Sequence, residues 1–161
     1  MKKGTLILLV IFLLLVAVFI ANTADSEEAW VICQPDSFVY LRTRPAFGSG
    51  IAAFLEAGEK VETDGRQRGK WIHVLFECED GEGWVFGGYL TDSEPEFYPD
   101  GIAATTDVGN VRARRYAGGP VRKNLKKGTE LTVYSVSDSW CITDQGFVKT
   151  NCLLFDGGDI E

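Results

Sequence analysis

The 161-residue sequence predicts an all-β chain of two small barrels in tandem, preceded by one N-terminal hydrophobic helix. Three observations carry that expectation. A long pattern of residues occurs twice, which means two copies of one folded unit. Short runs rich in β-branched and aromatic residues alternate with turn residues throughout both copies. After Ala24 no stretch sustains an apolar period long enough for a helix.

The chain opens with Lys2 and Lys3, followed by an uncharged apolar run from Leu6 to Ala21 and then Asp25, Glu27 and Glu28. Positive residues stay on the cytoplasmic side, so everything after the run is expected to be exported. Residues 1–24 read as a signal peptide or a membrane anchor. Asn22 and Thr23 make a poor cleavage site, which favours the anchor with the domains outside; secretion after signal cleavage is the alternative. No cysteine follows the run directly, which speaks against a lipoprotein.

The first copy spans residues 29–92. Val39-Tyr40-Leu41-Arg42-Thr43-Arg44-Pro45 comes first, then Leu55 and Gly58, Trp71, Gly83-Trp84-Val85 and Tyr89-Leu90. Strands are expected at Glu59 to Thr63 and Trp71 to Phe76. Asp80-Gly81 between Val74-Leu75-Phe76 and Trp84-Val85-Phe86 is a hairpin signal, because type I′ turns need positive φ. Residues 93–100 hold two prolines and read as a stiff, extended linker. The second copy spans 101–155, with Asn110-Val111-Arg112-Ala113-Arg114, Leu125 and Gly128, Trp140, Gly146-Phe147-Val148 and Cys152-Leu153. Residues 156–161 form a loose acidic tail.

This repeated signature resembles the bacterial SH3 domain family (SH3b). Leu41-Arg42-Thr43-Arg44-Pro45, Trp71-Ile72-His73-Val74, Gly83-Trp84-Val85 and Tyr89-Leu90 match its motifs well. The second copy departs from them: Phe147 replaces the second Trp, Cys152 replaces the Tyr, and Arg115 stands where Pro is expected. The resemblance implies SH3-like small barrels, each with an aromatic groove beside the long loop after the first strand. It points to Tyr40, Arg42, Arg44, Trp71, Trp84 and Tyr89 in copy one, and to Asn110, Arg112, Arg114, Trp140 and Phe147 in copy two. An aromatic wall with arginine can stack on sugars or grip a peptide carboxylate. Trp84, Phe147 and Leu90 are expected to serve the core instead, while Trp71 and Tyr40 fit core and groove equally.

Charge and cysteines narrow the function further. The chain carries a formal net charge of −7, which disfavours nucleic-acid binding. Residues 29–96 hold twelve carboxylates against six Lys/Arg, whereas residues 101–155 hold four against eight, so the halves are opposite in sign. The basic half can attract anionic wall polymers. Each half also has two cysteines. An exported location permits disulfides, so Cys33–Cys78 and Cys141–Cys152 are the expected bonds. Each would contribute roughly 3–4 kcal/mol by loop entropy. Small units of this kind gain from such staples, although all four side chains also suit reduced, apolar positions. No metal site is expected, since the cysteines lack close paired spacing and His73 is the only histidine. No cofactor motif is present either.

Catalysis is not expected. Cys78 and His73 are five apart, which sends them to opposite faces of a regular strand. Glu77, Glu79, Asp80 and Glu82 crowd one hairpin and read as a solvated tip. The expected function is therefore a non-catalytic, exported binding module. Its partner is cell-wall peptidoglycan, peptide or glycan, with the membrane held through the N-terminal segment. The alternative is a protein–protein adaptor of the cell envelope, and more distantly a hydrolase inhibitor or remnant.

Overall fold

The computed structural model describes residues 26–76 and 81–155. The expected helix and anchor over residues 1–24, the tail over 156–161 and the hairpin residues Glu77 to Asp80, with Cys78 among them, lie outside the described residues. Among the described residues no helix is long and apolar enough to cross a membrane.

The described chain is all-β and builds two antiparallel seven-stranded sheets. The first holds β1 (Glu27–Val31), β2 (Phe38–Arg42), β3 (Ile51–Glu56), β4 (Lys60–Arg68), β5 (Trp71–Phe76), β6 (Gly81–Phe86) and β7 (Leu90–Thr91). The second holds β8 (Glu96–Thr106), β9 (Val111–Arg114), β10 (Val121–Leu125), β11 (Glu130–Val136), β12 (Trp140–Thr143), β13 (Gly146–Lys149) and β14 (Leu153–Phe155). A 3-10 turn precedes the last strand of each, at Gly87–Tyr89 and Thr150–Cys152. The strand orders are β3-β2-β6-β5-β4-β1-β7 and β10-β9-β13-β12-β11-β8-β14. Counted from its own first strand, each sheet has the same order. β8 begins inside the stretch that reads as linker: Glu96 and Phe97 pair with Val136 and Ser135 of β11.

Register shows which residues of the two copies correspond. Val39 lies opposite Leu55 as Val111 lies opposite Leu125, and Arg42 lies opposite Trp84 as Arg114 lies opposite Phe147. The counterpart of Arg42 is thus Arg114, not Arg112, and Arg112 stands in the place of Tyr40. The Arg-x-Arg spacing is a coincidence of local sequence, because only the residue at the end of the strand reaches the neighbouring loop. Arg42 donates from Nη1 to the Ser49 carbonyl at 2.8 Å, and Arg114 donates likewise to the Gly119 carbonyl. Both arginines tie down the loop that follows their strand.

Alternation along the strands fills two cores of the same design. Val39, Leu41, Leu55, Val61, Val74 and Val85 meet Ala29 and Val31 in the first; Val111, Ala113, Leu125, Leu131, Val133 and Val148 meet Ala104 and Leu153 in the second. The glycine before each Trp-Val or Phe-Val pair has a steric cause. A Cβ on Gly83 would stand 2.8 Å from both the Arg42 carbonyl oxygen and the Leu41 side chain. A Cβ on Gly146 would stand 2.5 Å from the Arg114 carbonyl oxygen, and Gly146 also has φ +121°. Only glycine lets β2 and β9 approach β6 and β13 at these points.

A third apolar cluster joins the sheets. Ile32 from the first meets Ile142 and Phe147 from the second, with Tyr89, Ala117 and Trp140 packed around them. All three central side chains are at most 2 % exposed. Tyr116 stacks edge-on against Phe86 at 4.9 Å, and a Cβ on Gly88 would meet its ring at 2.6 Å. Hydrogen bonds flank the seam: Ala117 N–H to Gly88 C=O at 3.1 Å, Gln34 Nε2 to Thr143 C=O at 3.2 Å, and Asp138 N–H to Ser93 Oγ at 3.3 Å.

Phe147 therefore serves the seam more than the core of its own sheet. Truncation of a buried phenylalanine costs about 3–5 kcal/mol, so Phe147→Ala is expected to split a single calorimetric unfolding transition into two. Gly88→Ala, which crowds Tyr116 and the Ala117 carbonyl across the seam, should produce the same split with less loss of total enthalpy. A single, unsplit transition in both variants would show that the sheets do not unfold as one unit through this seam.

Candidate binding groove

The seam leaves a groove of about 380 Å³ beside it. Its floor and walls come from three parts of the first sheet. β2 contributes Phe38 and Tyr40, which alternate with the core residues Val39 and Leu41 and so share the outer face. The loop after β2 contributes Phe47. Trp71, Phe86 and Tyr89 close the far side. Arg115 and Phe147 reach in from the second sheet.

The groove is held rigidly. Thr43 N–H donates to Gly50 C=O at 3.0 Å, and the buried Ser49 hydroxyl shares its one proton between the Arg44 and Ala46 carbonyls, 2.8 and 2.9 Å away. With Arg42 on the Ser49 carbonyl, these bonds fix the loop that carries Phe47. The Phe47 ring, 63 % exposed, rests against Trp71 at 4.8 Å and Phe86 at 5.2 Å. Tyr40 is half-exposed and lies under the Arg42 guanidinium at 5.1 Å. Phe38, Tyr40 and Phe54 stack edge-on or tilted along the rim, with centroids 5.0–5.6 Å apart. Exposed rings held in one geometry lose little entropy on binding a planar or apolar ligand.

Residues 37–91 match the family described as Bacterial SH3 domain. This stretch is a bacterial SH3 domain. The match takes in β2 to β7, and the antiparallel all-β sheet is consistent with the SH3-like fold. Two solved structures, of NlpC1 and NlpC2 from Trichomonas vaginalis, are similar at 13 % and 12 % identity, with TM-scores of 0.37 and 0.35. They cover 87 % and 86 % of this chain, which spans about half of theirs, 49 % and 52 %. No curated protein matches.

Of the residues that the sequence singles out, Tyr40, Arg42, Trp71 and Tyr89 meet in the groove of this SH3 domain. Arg44 is exposed on the following loop and does not line it. Trp71 is both core and groove: it is 8 % exposed, yet its edge lines the opening. Trp84, expected in the core, instead lies half-buried on the outer face, edge-on to His73 at 5.0 Å. That reversal follows from alternation, because Val85 takes the inward position.

The second sheet does not repeat the groove. Asn110 is exposed in a left-handed turn at φ +60°, Arg112 is exposed, and Arg114 braces its loop. Trp140 lines a different cleft of about 520 Å³, with Lys149 Nζ 5.9 Å from its ring centre. Lys149 lies opposite Trp140 where Phe86 lies opposite Trp71, so the aromatic wall is replaced by a cation. Sequence reasoning missed Phe38, Phe47 and Phe86. The period-two alternation of Phe38 and Tyr40 was the signal for the first of these.

A polar cluster lies farther along the same outer face, two residues from Trp71 on β5 and from Phe86 on β6. His73 is buried, with Nδ1 3.0 Å from Asp64 Oδ2, while Arg66 bridges Asp64 at 2.6 Å and Glu82 at 3.2 Å. Burial raises the Asp64 carboxyl, but hydrogen bonds from Arg66 and the charges of His73 and Arg66 outweigh it and hold the group below its ordinary value. All these polar atoms are partnered by one another, so the cluster reads as a brace across β4, β5 and β6.

Among the described residues no disulfide is formed, so the expected Cys141–Cys152 bond is absent. Cys33, Cys141 and Cys152 are free thiols, and Cys78 lies outside the described residues. Each described thiol turns to its own neighbour: Cys33 to the Ser37 carbonyl, Cys141 to Thr150 Oγ1 and Cys152 to Asn151 Oδ1, all at 3.5 Å. Cys33 and Cys141 are core residues that fill volume, as their membership of the two apolar clusters shows. Burial pushes both thiols up to about 11. Thiolate is the reactive form, so at pH 8 a thiol-reactive probe should label Cys152 before Cys33 and Cys141, which stay protected until the fold is unfolded. Mass spectrometry after peptide digestion reads this directly. Early labelling of Cys141, or a Cys141–Cys152 bond in natively prepared protein, would contradict the packing.

Proposed function

We propose that this chain is a non-catalytic, exported binding module that contacts the bacterial cell wall through the groove of its first SH3 domain. Residues 101–155 then form a second, diverged SH3 module whose role is to support the first. The single observation that carries the reading is the aromatic wall of Phe38, Tyr40 and Phe47, exposed rather than buried, in which Arg42 and Ser49 hold Tyr40 and the Phe47 loop in place. Fixed exposed aromatics beside an arginine are a recognition surface. The bacterial SH3 match supports a wall ligand, since such domains commonly bind cell-wall components.

Retention of the full chain, solubilised in mild detergent, on purified sacculi tests this. Tyr40→Ala and Phe47→Ala are the suitable variants because both rings are exposed, so binding is lost without unfolding. Each is expected to lower retention roughly tenfold, as for an aromatic anchor worth more than 1 kcal/mol. Retention that survives both substitutions, or enzymatic digestion of the wall, would refute the groove; no retention of the unaltered chain would favour an envelope protein as partner.

The location is proposed on Lys2, Lys3 and the apolar run after them. In bacteria, a phosphatase that works only outside the cytoplasm, fused after Glu161, should be active, and a fusion active only as a cytoplasmic reporter would overturn the topology.

A further inference from the structure

We infer that the groove is a two-module site selective for a peptide with a free terminal carboxylate, and that Arg115 of the second module is the residue that selects it. The inference rests on the proposed wall-binding reading and names the part of the wall involved: the carboxylate end of a stem peptide.

Three observations lead there. The first is charge. The groove is lined by two arginines, Arg42 and Arg115, and by no Asp or Glu. That is unusual surroundings in a chain of net charge −7, where the first half alone holds twice as many carboxylates as cations. The second is availability. Arg42 is committed to the Ser49 carbonyl and to the Tyr40 face. Arg115 is exposed, and among the described residues no carboxylate forms an ion pair with it. Its guanidinium lies near enough to Tyr89 to pull the phenol's titration down against the larger effect of burial. The third is position. Arg115 stands between Arg114, whose side chain braces the loop, and Tyr116, which packs on Phe86 and Gly88 across the seam. The backbone on both sides of Arg115 is therefore held, and its side chain is delivered to the groove mouth by the docking of the two sheets.

A guanidinium fork pairs with a carboxylate through two parallel hydrogen bonds and does so better beside apolar walls than in open water. A peptide laid along Tyr40, Phe47 and Trp71 would end at that fork. Neither module holds this site alone: the first supplies the aromatic wall, the second the cation.

The test uses the full chain in mild detergent, with isothermal titration calorimetry reading the binding. The probes are N-acetyl-dialanine as the free acid and as its C-terminal amide. The acid is expected to bind roughly tenfold more tightly than the amide, the effect of one charge-assisted pair. Arg115→Gln should abolish that ratio and Arg115→Lys should keep part of it, with thermal melts unchanged because Arg115 is exposed. Equal binding of acid and amide, no binding of the acid, or an unchanged ratio in Arg115→Gln overturns the inference. Glycerol phosphate that displaces the acid at equal concentration also overturns it, in favour of a phosphate polymer. Retention on sacculi of an unaltered chain that is indifferent to the carboxylate would leave the wall reading standing and sink this one. An intact acid-to-amide ratio in a chain that ignores sacculi would do the reverse.

Discussion

The seam of Ile32, Ile142 and Phe147 is the contact on which the rest of the molecule depends. Each sheet has its own apolar core, and each core is small. What the seam adds is orientation. By burying three large side chains almost completely, it makes one relative position of the two sheets far more favourable than others. Tyr116 on Gly88 and the backbone bond from Ala117 fix the rotation about that contact. The groove exists only because the sheets meet there at that angle, with Arg115 and Phe147 forming one side.

The two modules share a plan and divide the labour. The arginine that ends the second strand braces a loop in both. The glycine before the inward valine permits close strand approach in both. Around this common frame the surfaces diverge. The first module spends its outer face on rings: Phe38, Tyr40, Phe47 and Phe54. The second module places Arg112 at the position of Tyr40 and Lys149 at that of Phe86, and spends its own apolar face, Ile142 and Phe147, on docking. At the equivalent positions the first module has His73 and Trp84, which are shielded by Asp64, Arg66 and Glu82 instead of by another sheet. One surface of one design is thus an interface in the second copy and a braced polar face in the first.

Much of this was legible along the chain. The repeat, the strand-rich composition and the turn pairs were sufficient for an all-β reading. Tyr40, Arg42, Trp71 and Tyr89 were named from their motifs and do meet in space. Where the reading failed, it failed through register or partnership. Arg42 and Arg112 look equivalent in a string, but strand pairing makes Arg42 equivalent to Arg114. Trp84 looks like a core residue, but Val85 holds the inward position and turns the indole out. Cysteines in pairs look like disulfides, yet the described thiols are taken up by core packing and by hydroxyl, amide and carbonyl neighbours.

What the sequence by itself determined was the local matter: which segments are strands, where they turn, which side of each strand is apolar, and that the unit occurs twice. Those properties depend on alternation and on turn chemistry, both of which act over a few residues. What only the tertiary structure decided was which outward faces remain free. That depends on how two folded surfaces fit, and the residues concerned, Ile32 with Phe147 or Phe47 with Arg115, are separated by dozens of positions and share no motif. The apolar face that becomes a seam and the aromatic face that becomes a groove are alike in composition. They differ because Phe147 finds Ile32 across the seam, whereas Tyr40 and Phe47 are left facing water.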